Sequence, residues 1–161
     1  GSSKYIGKLF KEHAIVKTYI AVVHGTPKNK YGKLELKIKQ NHKLLESVTY
    51  FKVLKKVKDF SLLIIRPITG RKHQIRIHMN HIGNPILGDT KFSSKKTDEF
   101  KSLHLHAYQI SYRDQSGTIQ NFCAPLPDHF VSTFNKLKIN QNIEDNLEFK
   151  NLEKYKFENE F

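Results

Sequence analysis

The densest run of chemically capable side chains is Thr69-Gly70-Arg71-Lys72-His73-Gln74-Ile75-Arg76-Ile77-His78. It places two Arg, a Lys, two His and a Gln in ten residues, just after an apolar stretch. A strand end followed by a glycine turn is where side chains converge on a cleft. A guanidinium there offers a planar fork for phosphate or carboxylate and holds a neighbouring acid in its charged form. From the residues alone, a basic surface loop with packed histidines is the plainer reading. Lys17-Thr18-Tyr19 is a second candidate: a Tyr beside a Lys suits stacking on a nucleobase, although a half-buried core ring is the commoner role of such a Tyr. Asn84-Pro85-Ile86-Leu87-Gly88-Asp89 is a third, with Asp89 read as a turn or cap residue. His104 and His106 share one strand face, and His73 and His78 miss the helical i, i+4 pairing; neither pair has acidic companions, so no metal site is expected. No G-x-S-x-G elbow and no Gly-rich nucleotide loop occurs. Cys123 reads as a small buried hydrophobe.

The elements that must position these residues follow from periodicity. Tyr5 to His13 has helical spacing, and Lys17 to His24 is a strand broken by Gly25-Thr26-Pro27. Gly32 to Lys39 alternates apolar and charged residues, the mark of a strand with one wet face. Val48 to Val57 alternates as well, and Phe60 to Arg66 is a dense apolar strand stopped by Pro67. His73 to Ile82 reads as a short helix, and Ser93 to Lys101 as a polar surface insertion. Leu103 to Tyr112 and Thr118 to Phe122 form a hairpin around Asp114-Gln115-Ser116-Gly117. Asp128 is placed to cap a helix from His129 to Leu137. The expected fold class is therefore α+β, a mainly antiparallel mixed sheet with a few flanking helices.

Composition bounds the function. The chain has 161 residues, 28 Lys+Arg against 15 Asp+Glu, a net charge of +13 and a pI near 9.7. Up to Pro125 there are 23 basic and 8 acidic residues, and from Leu126 onward 5 and 7. The basic character thus belongs to the first part, which points to a polyanion, most simply nucleic acid. A solvated Lys-rich surface in an AT-rich coding background fits the same numbers. One cysteine excludes an internal disulfide framework and a cysteine zinc site, and a reducing, cytoplasmic setting is expected. No apolar run approaches a membrane span, and no signal peptide is read at the start. The opening Gly1-Ser2-Ser3 without Met reads as a processed or engineered fragment.

Taken in order, these segments resemble the pseudouridine synthases of the RluA type. The resemblance runs from about Tyr5 to about Phe130. It is carried by Lys17-Thr18-Tyr19-Ile20-Ala21 with Gly25, then Thr69 to His78, then Gly83-Asn84-Pro85-Ile86-Leu87-Gly88-Asp89, Leu105-His106-Ala107, and Phe122-Cys123-Ala124-Pro125-Leu126-Pro127. The string G-R-x-H-Q-I-R-x-H followed by P-I-L-G-D is its most specific part. The resemblance implies a cofactor-free isomerase acting on structured RNA, chiefly ribosomal, with large-subunit 23S RNA the expected target. In that family an Asp attacks a flipped-out uridine, the glycosidic bond breaks, the base turns, and C5 is joined to C1′. By position, Tyr19 matches the tyrosine that stacks on uracil and helps remove the C5 proton, and Arg76 the arginine that pairs with the catalytic Asp. Lys17, Arg71, Lys72, His73 and Gln74 are expected to contact RNA.

The family's H-R-L-D-x-x-T-S-G motif, which holds the nucleophile upstream of the K-x-Y strand, is not in this sequence. Asp59, Asp89, Asp98 and Asp114 stand in other contexts. The expectation is that residues 1–130 are the C-terminal part of a catalytic domain and residues 131–161 a helical or partly disordered extension. Such a piece is expected to be inactive alone and to self-associate through exposed sheet edges. The competing reading is a non-catalytic RNA-binding module on the same fold; a generic basic DNA- or RNA-binding protein with no active cleft is a third.

Overall fold

The computed structural model describes residues 15–93, 95 and 99–140. The helix expected over Tyr5 to His13 and the chain after Asn140 lie outside them. Six strands form one antiparallel sheet: β1 (Val16–His24), β2 (Tyr31–Gln40), β3 (Lys43–Val57), β4 (Phe60–Pro67), β5 (Leu105–Arg113) and β6 (Ile119–Cys123), in the order β2-β3-β4-β1-β5-β6. α1 (Gln74–His81) and α2 (Asp128–Leu137) complete the described elements. The α+β architecture expected from the sequence is the one observed.

The most apolar strands lie innermost. β1 and β4 are buried on both faces and pair with each other through Tyr19↔Ile65 to His24↔Phe60. β2 keeps its charged residues in water and turns Ile38 inward, as its alternation requires. On one sheet face Ala21, Val23, Phe51, Leu63 and Ile65 pack with Ile75 and Met79 of α1. On the other, Ile20, Val22, Leu62 and Ile64 pack with Phe130, Phe134 and Leu137 of α2.

Several local expectations are corrected. β3 starts at Lys43, five residues before the expected Val48, because the β2–β3 ribbon continues past β4. Its overhang is held by α1 and the loop before it: Ser47 Oγ meets His78 Nε2 at 2.7 Å, Lys72 N donates to Gln40 Oε1 and Arg71 Nε to the Glu46 carbonyl. Asp128 is the first residue of α2 and makes no capping bond; Pro127 stands at the cap. The expected boundary after residue 130 falls inside α2, and Phe134, Leu137 and Ile139 belong to the core. Phe100, within the supposed polar insertion, is buried against Phe60 and His104. Cys123 is exposed, because β6 is the sheet's outer strand.

Candidate active site

A cleft of about 360 Å³ opens on the α1 face of the sheet, lined by Lys17, Tyr19, Arg71, His73, Gln74 and Arg76, with Thr69, Gly70, Leu103 and Leu105 among its walls. β1 supplies its floor. Lys17 and Tyr19 are two apart on a strand, so both side chains leave the same face. A bulge between Thr18 and Tyr19 against β5 locally re-aims that face. Tyr19 also packs on the core beneath α1, so the two roles weighed for it coexist. Burial pushes its phenol pKa up and the Lys17 ammonium's down.

The second wall is the loop that delivers α1. Gln74 is buried, and its amide is used up inside the protein. Nε2 donates to the Val48 carbonyl and to Thr49 Oγ1, and Oε1 accepts from Thr69 Oγ1 and the Arg71 amide. That commits both donors and both acceptor positions. Gln74 therefore clasps the loop to β3, although the sequence suggested an RNA contact. His73 takes a left-handed conformation, φ 57°, to turn the loop into the helix. Its ring tilts against Phe92, and its Nε2 lies 3.3 Å from Lys91 Nζ. Desolvation, and then the nearby Lys91, Arg76 and Lys72, lower its pKa. Lys72 is exposed and does not line the cleft.

Arg76 is braced on two sides. Nη2 donates to Asp89 Oδ1 at 2.8 Å and Nε to Oδ2 at 3.2 Å, while its guanidinium sits 5.2 Å from the centre of the Phe92 ring. The Asp89 side chain is 0% exposed and that of Arg76 18%. Asp89 Oδ1 also accepts the amides of Lys91 and Phe92. Burial alone would raise the Asp89 pKa, but the Arg76 bonds and those two amides outweigh it and hold the carboxyl below the usual carboxylate range. Asp89 is thus a turn residue, as read, and also the partner of Arg76, which was not read. The signal was present in the P-I-L-G-D segment, but nothing local says that its acid returns to a residue 13 positions earlier.

His78, His104 and His106, outside the cleft, are structural. Ser47 Oγ donates to the Leu36 carbonyl, so His78 must carry its proton on Nε2; burial lowers its pKa to about 4. His104 bonds the Ser102 carbonyl and Thr133 Oγ1, and both His104 and His106 pack against Phe130. Among the described residues no three His, Cys, Asp or Glu side chains converge as metal ligands would.

A profile described as RNA pseudouridylate synthase matches residues 2–81. An uncharacterized RNA pseudouridine synthase, YlyB, of Bacillus subtilis is 34% identical over 137 residues, covering 78% of this chain and 45% of the relative. Ribosomal large subunit pseudouridine synthase C of Rickettsia conorii is 36% identical over 148 residues, covering 81% and 48%. Among solved structures, human RNA pseudouridylate synthase domain containing 4 superposes with a TM-score of 0.75 at 25% identity, over 85% of this chain and 67% of that one. The chain spans about half the length of these two curated relatives.

Proposed function

The chain belongs to the RNA pseudouridylate synthase family, and from that premise we propose that it supplies the uracil-stacking and arginine-bearing half of an active site that converts uridines in ribosomal RNA to pseudouridine. The observation that carries the reading is that Tyr19, on β1, and Arg76, on α1, line one cleft. A base extruded from RNA needs an aromatic face, which the Tyr19 ring offers, and a pocket that excludes water. The floor is half apolar, with Ile75, Leu103 and Leu105 beside the ring. The Tyr19 hydroxyl is a neutral phenol at neutral pH, and burial disfavours its phenolate further, so its part in removing the C5 proton is to accept that proton while giving up its own.

On this reading the nucleophilic carboxylate of the family's mechanism comes from outside these residues. No R-L-D string occurs, and Asp89 is fully engaged by Arg76 and two backbone amides. A carboxylate entering the cleft from an upstream segment would meet the Arg76 guanidinium, which favours its ionised, nucleophilic form. Arg71, Lys72, His73 and Lys17 surround the mouth with donors for phosphate, while Gln74 holds their loop in place. The target is ribosomal RNA, the working compartment is the cytoplasm, and no cofactor is required. Among the described residues no helix is long and apolar enough to cross a membrane.

The test is tritium release from uridine labelled at C5 in ribosomal RNA. A protein that joins these residues to an upstream H-R-L-D segment is expected to release it, Arg76→Ala to lose most of that release, and the 161 residues alone to release none. Unchanged release in Arg76→Ala would remove the role assigned to the guanidinium. A non-catalytic RNA-binding module on the same fold would bind RNA and release nothing even with the upstream segment attached.

A further inference from the structure

Beside the cleft, on the same face of the sheet, lies an apolar shelf that the proposed reaction does not use. Lys17, which lines the cleft, pairs across the sheet with Ile110 of β5, and Ile110 pairs with Phe122 of β6. Directly paired residues of an antiparallel sheet project from one face. From Lys17, at the edge of the cleft floor, the same face therefore continues outward through Ile110 and Phe122. Tyr112, two residues along β5, stacks on Phe122 with ring centres 6.0 Å apart and planes 12° from parallel. Phe122 is 59% exposed and Ile110 39%. An exposed Phe on a five-residue outer strand buries too little to be explained by folding, and a basic protein gains nothing in solubility from it.

Two adjacent strands that present flat rings beside a lysine are the arrangement by which sheet surfaces hold unpaired RNA: bases stack on the rings and the ammonium meets the backbone. We propose that the Ile110–Tyr112–Phe122 shelf is a stacking site for one or two unpaired nucleotides flanking the base that enters the cleft. This rests on the reading of the cleft as an RNA-base pocket and adds a requirement to it: the target must be locally single-stranded on the side facing β6. Charge complementarity favours RNA over a protein partner, since the shelf merges with the basic cleft mouth formed by Lys17 and Arg71. Stacking is indifferent to base identity, so the shelf would select for unpaired structure and leave sequence to other contacts.

The experiment measures binding of a short unstructured oligouridylate and of an RNA duplex to the whole chain across a salt series. Phe122→Ala is expected to weaken oligouridylate binding roughly 5- to 150-fold, the range for losing one stacked base. The slope of affinity against salt should stay unchanged, because no phosphate contact is lost. Phe122→Trp should restore the affinity, and duplex binding should not respond to either variant. Arg71→Ala is the control for the cleft: it should reduce the salt slope by about one unit. If Arg71→Ala weakens binding and Phe122→Ala does not, the shelf proposal is overturned and the cleft reading stands. If neither responds, the cleft reading fails too. If Phe122→Leu binds as well as the native chain, stacking is refuted in favour of plain apolar contact. Sedimentation of the free protein supplies the remaining check: a dimer that Phe122→Ala dissolves would show that a second copy covers the shelf, which also overturns the proposal.

Discussion

At the residue scale, the site depends on what each group is left free to do. Arg76 spends two of its donors on Asp89 and lays its plane beside Phe92, which fixes the guanidinium before any substrate arrives. Removing the anchor should therefore harm catalysis and folding together. Asp89→Ala leaves a mostly buried cation without its acid and should cost about 3 kcal/mol of stability in urea denaturation. Asp89→Asn keeps the shape but not the charge; it should lower turnover in the upstream-joined protein more than it lowers RNA affinity. Tyr19 separates ring from hydroxyl. Tyr19→Phe is expected to keep RNA affinity and lose tritium release, whereas Tyr19→Ala should lose about 1–3 kcal/mol of binding as well. Equal affinity for all three would mean that no base reaches the ring. Gly88, beside Asp89, has φ 85°, and a methyl there would overlap the Ser102 carbonyl, so Gly88→Ala should lower the thermal midpoint sharply.

At the element scale, the β2–β3 ribbon and α1 behave as one unit. The ribbon's overhang is tied to the helix by the buried Ser47–His78 bond, while Gln74 pins the loop to β3. Ser47→Ala leaves the His78 N–H without an acceptor and should cost about 1–3 kcal/mol, read as faster amide exchange in α1. The Asp114 turn closes the β5–β6 hairpin through the Ser116 hydroxyl, the Gln120 side chain and the Thr118 and Ser116 amides, and these bonds hold its pKa at about 2. Asp114→Ala should free those amides to exchange quickly while leaving the cleft intact. What was legible in the sequence is what is local. The alternation of β2, the density of β4 and the helical spacing of α1 all identify their elements within a few residues. What was not legible depends on partners far along the chain. The early start of β3 needs α1, the burial of Phe100 needs Phe60 and His104, and the exposure of Cys123 follows only from β6 being outermost. The cleft shows the same division: the sequence named the residues that line it, but the Asp89 brace and the full occupation of Gln74 appear only in three dimensions.

At the scale of the whole molecule, buried neutral histidines set an acid limit. His78 titrates near 4 in the fold and near 6.5 in the unfolded chain. As pH falls from 6.5 toward 4, the unfolded state takes up a proton that the native state refuses. Stability is therefore lost across that window, by about 3 kcal/mol from this group. Burial lowers the pKa of His104 and His106 as well, which adds in the same direction. Denaturant midpoints measured between pH 7 and 4 should fall steadily, and His78→Gln should flatten the fall; a level profile would contradict the buried, neutral state.

The position of β1 between β4 and β5 has a mechanical consequence. Tyr19 is riveted by hydrogen-bonded strands on both flanks, so the base of its ring cannot shift without tearing the sheet. Facing it, Arg71 and His73 stand on a short loop that Gln74 and Arg71 tie to β3. The hollow is thus a vice with both jaws anchored to one slab. Differently shaped RNAs must be met by the reach of the long cationic side chains at its rim, while the backbone beneath keeps the same reference plane for every base presented to it.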